Sequence, residues 1–192
     1  FVGKVDGIII TARHGDNHYK YAKPYIASKI PMFIDKPLVN KEEDLQTFVK
    51  WRKEGKNFIT CSSLRFAKEY APYHRSTYEF GDLMYICSPM SKKWETYGIH
   101  ALEQMYPILG PGFVSVQNTG TFERTHVHIV HGNGCRIDIP QGIGMAGAGL
   151  LLIGSAGSVY LNSLDSYHDF KTQLVKFVDW LRTGIEPFPF EE

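Results

Sequence analysis

The chain has 192 residues, 43% of them hydrophobic, enough for one sizeable core or two smaller lobes. Twenty-one basic against twenty acidic side chains leave a formal charge of +1. No dense Lys/Arg block interleaved with aromatics stands out, which excludes a nucleic-acid footprint, and the balance gives no special attraction to membranes.

Cys61, Cys87 and Cys135 are odd in number, widely spaced and without a CxxC pair, which points to a reducing compartment, the cytoplasm, and not to a disulfide framework. The apolar stretch Gly142 to Gly154 is too short and too glycine-broken to span a bilayer, and no signal peptide opens the chain. Val5 and the run Gly7 to Ile10 read as a strand with almost no lead-in, as though the chain were entered in the middle of a sheet. The close, after Pro187-Phe188-Pro189-Phe190, is equally abrupt.

Up to about residue 66 strands and helices alternate. Asp6 to Ala12 reads as a strand, and Asn17 to Lys29 places Tyr21, Ala22, Tyr25 and Ile26 at helical spacing. Pro31 to Asp35 is a second strand. Asn40 with Glu43 resembles a capping box opening a helix whose face carries Leu45, Phe48, Val49 and Arg52, and Gly55 stops it. Asn57 to Cys61 is a third strand. Such a βαβαβ rhythm implies parallel strands with ligands bound beyond their carboxyl ends, here Thr11 to Asn17, Asp35 to Pro37 and Ser62 to Phe66.

Beyond about residue 67 the rhythm changes. A strand over Asp82 to Cys87 and a helix from Trp94 to Leu109, stopped by Gly110, lead into a run of strands. These are Gly112 to Thr119, Glu123 to His131, Cys135 to Pro140, Gly149 to Gly154 and Ser158 to Leu161. The turns Gly132-Asn133-Gly134 and Ser155-Ala156-Gly157 make the sheet largely antiparallel. Tyr167 to Arg182 is a last amphipathic helix, ended by Gly184.

Four groups of side chains could carry chemistry. Proline after Lys36 holds that lysine extended at a strand's carboxyl end, and the Lys36-Pro37 bond could be cis; equally, Lys36 could be a surface lysine at a strand exit, with Asp35 capping the turn. Thr96, His100 and Glu103 share a helix face, so a carboxylate one turn away could fix the tautomer of a general-base histidine, or His100 could be a half-buried histidine satisfied locally. His126 and His128 fall on one strand face, but His131 points to the other, leaving a metal site without its third and fourth ligands, so no metal is expected. His14, Asp16 and His18 are ordinary polar residues of a strand-to-helix loop. The glycine-rich segment at 142–149 lacks a lysine and the strand-turn-helix setting of a phosphate loop, and nowhere does a GxGxxG run lead from a strand into a helix as the dinucleotide fingerprint requires.

Several motifs in order resemble the glucose-fructose oxidoreductase, inositol dehydrogenase and rhizopine catabolism family. They are VDGIIITARHGDNHYKYAKPYIASKIPMFIDKPLVNKEEDLQTF, CSSLRF, WETYGIHALEQMYPILG and FVDWLRTGIEPFPFEE. Asp35-Lys36-Pro37 stands where that family has Glu-Lys-Pro. The resemblance implies the carboxyl-terminal part of a Rossmann-like α/β domain (1–66) followed by an α+β substrate domain with a mainly antiparallel sheet (67–192). It implies NAD- or NADP-dependent oxidation of a sugar, cyclitol or related polyol. Lys36 and His100 would be catalytic; Thr11, Ala12, His18, Asp35, Lys36 and Pro37 would border the cofactor, and Arg65, Thr96, Tyr97 and His100 the substrate.

Thr96 stands where the family often has an aspartate, and the family's glycine-rich βαβ unit would precede Phe1. The chain is therefore expected to be a truncated oxidoreductase that binds dinucleotide weakly by itself and self-associates through the antiparallel sheet. The alternative is a non-catalytic binding or assembly module derived from that fold.

Overall fold

The computed structural model describes residues 1–147 and 149–190. The described residues form two compact units: Phe1–Ser62 with the chain from Gln173 onward, and Ser63–Thr172. The second division falls inside a helix, so the carboxyl-terminal half of that helix belongs to the first unit, where a single cut at residue 66 assigns it to the second.

The first unit is built on a parallel sheet of β1 (Ile8–Ile10), β2 (Met32–Asp35) and β3 (Phe58–Cys61), in that spatial order. Ile10 pairs with Ile34, and Ile34 with Thr60, so the strands end together and their carboxyl ends form one rim. The near-continuous apolar run of β2 reflects burial on both faces. On one side Ile10, Met32, Ile34 and Phe58 pack with Ala22 of α1 (His18–Ala22) and Phe48 of α2 (Glu42–Lys53). Phe33 points the other way, its ring 5.9 Å from that of Phe177 on α4 (Ser166–Thr183).

Two local expectations are corrected. The first helix stops at Ala22 instead of running to Lys29, because Pro24 has no N–H to donate back to Lys20 O, although Lys23 itself is still helical at φ −48° and ψ −44°; Tyr25 and Ile26 reach the core from turns instead. Helix α2 starts one residue later than the capping-box pattern implies. Lys41, extended at φ −122° and ψ 139°, is its N-cap with no side-chain cap bond, and Glu42, Glu43 and Asp44 set negative charge against the amino-terminal dipole. Its stop is the expected one: Gly55 sits at φ 76°, and the Lys56 N–H donates to Trp51 O.

The second unit carries a sheet of order β10-β9-β4-β8-β7-β6. Its strands are β4 (Leu83–Cys87), β6 (Phe113–Asn118), β7 (Arg124–His131), β8 (Arg136–Gly142), β9 (Leu150–Gly154) and β10 (Ser158–Leu161). The short β5 (Met90–Ser91) also pairs with β8. Only β4 and β5 run parallel to β8, so the sheet is mainly antiparallel, as the turn pattern implies. Ile86, Ile129, Ile137, Ile139, Leu150 and Leu152 share one core with Ala101, Met105 and Ile108 of α3 (Trp94–Leu109). Strand alternation turns His126, His128, Asp138, Tyr85, Cys87, Leu151 and Ile153 to the other face. Among the described residues no helix is long and apolar enough to cross a membrane.

Candidate active site

In the first unit the residues expected to border a cofactor gather at the carboxyl ends of the strands, and His18 ties them together. Its imidazole is fully buried; one ring nitrogen lies 2.8 Å from Ala12 O and the other 3.0 Å from Leu38 O. The loop leaving β1 is thereby pinned to the loop leaving β2, which holds Asp35, Lys36 and Pro37. His18 thus acts as a staple behind the rim, and being sealed from solvent it presents no ring nitrogen to a ligand. Gly15 supports the same contact. A Cβ there would lie 2.8 Å from Val39 Cα and 3.0 Å from Pro37 O, so only glycine lets the first loop pass this close to the second.

Lys36 is half-buried, Pro37 is buried behind it, and the peptide bond joining them is cis. Thr11 is exposed at the end of β1 and Ala12 half-buried beside it. They form the rim of a groove of about 600 Å³ whose walls include Ile8, Ile9, Ile10 and Tyr21. For a nicotinamide cofactor the fit is to one end only. A lysine ammonium and a threonine hydroxyl at a strand-end rim suit a polar ring substituent, whereas none of the three parallel strands leads into a helix through a GxGxxG turn that would cradle a pyrophosphate.

In the second unit α3 carries Thr96, Tyr97 and His100, all half-buried. The Tyr97 ring lies 4.8 Å from that of His100. Lys92, just before the helix at φ 66°, places Nζ 4.1 Å above the Tyr97 ring and donates a 2.5 Å hydrogen bond to the Tyr97 hydroxyl. A lysine against Tyr97 is invisible to helical periodicity, because Lys92 lies outside the helix. Thr96 Oγ1 is 3.4 Å from Lys93 O, a weak contact with its own helix start.

Arg65 lies in a tight turn at Ser63–Phe66 and is only 4% exposed. Its Nε donates to Glu103 Oε2 at 2.5 Å, so the carboxylate one turn along from His100 is engaged by the guanidinium. This buried pair fixes the turn to α3. It gives Arg65 a structural duty that its expected place beside the substrate did not include.

The comparisons with known proteins locate the fold. No protein-family model and no curated protein matches the chain. Solved structures do. Myo-inositol 2-dehydrogenase from Lactobacillus plantarum superposes with a TM-score of 0.84 at 14% identity, over 98% of this chain and 74% of that one. UDP-N-acetylglucosamine 3-dehydrogenase GnnA from Acidithiobacillus ferrooxidans gives 0.81 at 13%, over 99% and 74%. GenD2 from gentamicin A biosynthesis, in complex with NAD, gives 0.80 at 14%, over 97% and 71%. This chain has the fold of those dehydrogenases along nearly its whole length.

Proposed function

We propose that this chain belongs to the glucose-fructose oxidoreductase, inositol dehydrogenase and rhizopine catabolism family and serves NAD(P)-dependent oxidation of a sugar, cyclitol or related polyol. The observation that carries the reading is the shared fold with cyclitol and sugar-nucleotide dehydrogenases over 98% of the chain. In that fold Lys36 leaves the carboxyl end of a parallel strand and His100 stands on the substrate-domain helix.

Bound NAD(P)+ supplies the hydride acceptor. His100 takes the proton of the reacting hydroxyl as the carbinol carbon gives up its hydride, leaving a ketone. The Lys36 ammonium stabilises the developing alkoxide. Tyr97, with Lys92 against its hydroxyl, and Thr96 orient the polyol. Arg65 contributes through Glu103, by holding α3 in place. Thr11, Ala12, Asp35 and Pro37 border the nicotinamide, and His18 secures the loops that carry them. The 192 residues alone bind dinucleotide weakly, since none of the described parallel strands leads through a GxGxxG turn into a helix.

We place the protein in the cytoplasm, reading Cys61, Cys87 and Cys135 as thiols kept in a reducing compartment. We also propose that the outward face of the antiparallel sheet meets a second copy of itself, because it presents Ile153 and Tyr160 beside charges of both signs, Arg136 and Asp138.

The test is polyol-dependent reduction of NAD+ and NADP+ by the protein as its own cells make it, against myo-inositol and pyranose sugars. Lys36→Ala and His100→Ala are each expected to lower kcat by about 100-fold or more with little change in melting temperature. Turnover undiminished in both variants removes the catalytic assignment. Polyol binding without dinucleotide binding or turnover points to the non-catalytic module.

A further inference from the structure

The outward face of the antiparallel sheet carries a side-chain cluster that has no part in the proposed hydride transfer. Strand β7 presents His126 and His128 two residues apart, their rings 4.4 Å between centroids and 38° from parallel. The register pairs His128 with Asp138 of β8, so a carboxylate stands directly across from the second imidazole. One donor atom from each of the three residues lies within 4.8 Å of the other two. His131, the third histidine of the sequence motif, takes no part. It is buried on the core side with a ring nitrogen 3.1 Å from Pro111 O.

We propose that His126, His128 and Asp138 bind one divalent transition-metal ion, zinc by the chemistry of the donor set. Two imidazole nitrogens and one carboxylate oxygen suit zinc, cobalt or nickel, whereas magnesium and calcium call for oxygen donors throughout. The groups behind the donors are arranged as a metal site requires. The Tyr85 hydroxyl donates to Asp138 Oδ2 at 2.6 Å, leaving Oδ1 toward the histidines. Thr119 Oγ1 sits 2.8 Å from His128 Nε2 and so engages the ring nitrogen that faces away from the carboxylate. Such partners fix the orientation of the first-shell ligands and the basicity of their donor atoms. The His128 Nδ1 to Asp138 Oδ1 hydrogen bond holds these two donors in readiness, and the ion takes the place of its proton. His126 closes the triangle from the more open side, its side chain 47% exposed, which leaves room for water as the fourth ligand.

The experiment is calorimetric titration of zinc chloride into chelator-stripped protein at neutral pH, repeated with cobalt, whose visible absorption reports ligand number. One equivalent should bind, with affinity falling as pH drops into the range where imidazoles protonate. His128→Ala and Asp138→Asn should each weaken binding by about tenfold or more, and Tyr85→Phe by roughly tenfold through the loss of carboxylate orientation. His14→Asn, in a loop of the other unit, should bind as the parent does, and excess magnesium should not displace zinc. Melting curves confirm that each variant is folded when titrated. Absence of saturable binding, or binding unchanged in folded His128→Ala and Asp138→Asn, overturns the assignment, as does binding abolished by Cys87→Ser alone.

Discussion

The buried Arg65 and Glu103 pair shows how much a single side chain can decide. Both are sealed from water, with 5% and 9% of their side-chain surface exposed, and the attraction of the pair is set against the cost of desolvating each charge. Replacing Glu103 by leucine removes the carboxylate that the buried guanidinium engages through Nε, with an expected cost of about 3–5 kcal/mol in urea unfolding. The double variant Arg65→Met/Glu103→Leu should recover most of that loss. A single variant within about 1 kcal/mol of the parent would show that water reaches the site. The buried Gly15 offers a second test. Its missing Cβ is what lets the loop after β1 pass against Val39, so Gly15→Ala should cost about 1–3 kcal/mol and displace the segment that carries Lys36. At this scale the sequence identified Lys36 and His100 as candidates through their places at a strand end and on a helix face. It could not reveal Lys92 beside Tyr97 or the engagement of Glu103, because both depend on contacts between segments distant in the chain or differently folded.

Helix α4 illustrates how an element's boundary becomes a titratable feature. Asp165 precedes its first residue and accepts a 3.0 Å hydrogen bond from the His168 N–H, while Lys68 Nζ donates to its other carboxylate oxygen at 2.8 Å. The bond from Lys68, and then that from His168, hold the Asp165 carboxyl below its ordinary range. A lowered folded-state pKa means stability that is present above the unfolded value and is lost as pH falls through the lowered one. Thermal melts should therefore place Asp165→Ala below the parent at neutral pH, with the gap closing in acid below the ordinary carboxylate range. Asp165→Asn, which keeps the cap and loses the charge, should fall between them. A gap that stays constant down to that range would separate the cap from the ion pair.

Element boundaries were legible where one residue type forces them, as at Gly55 and Gly110, both at positive φ. They were misread where a weaker signal competed. Pro24 outweighed the helical spacing of Tyr25 and Ile26, and α2 opens at Glu42, one residue beyond the start that an Asn40 cap implies. The β7–β8 hairpin was more legible than the motif reading used. A turn centred on Asn133 sets 128 opposite 138 by simple counting, so the carboxylate facing His128 was implicit in the Gly132-Asn133-Gly134 turn.

At the scale of the whole molecule, alternation along the chain was enough to read the parallel sheet of the first unit, since β1, β2 and β3 neighbour in sequence order. It could not place β4 between β8 and β9, or return the second half of α4 to the first unit, because pairings between distant segments leave no mark on local periodicity. One consequence of that insertion is testable. With β4 in the middle, its outward residues Tyr85 and Cys87 join Asp138 on one side and Leu151 and Ile153 on the other, making one continuous face. Tyr160 on β10 extends it through its pairing with Leu151, and is 55% exposed. A face mixing apolar residues with Arg136 and Asp138 can meet its own copy across a two-fold axis without confronting like charges. Ile153→Lys combined with Tyr160→Glu adds charge to that face without touching the core. Light scattering after gel filtration should show the parent as an oligomer and the double variant as a monomer with a similar melting curve. A parent that is already monomeric, or a variant that keeps the parent's mass, assigns this face to some other use.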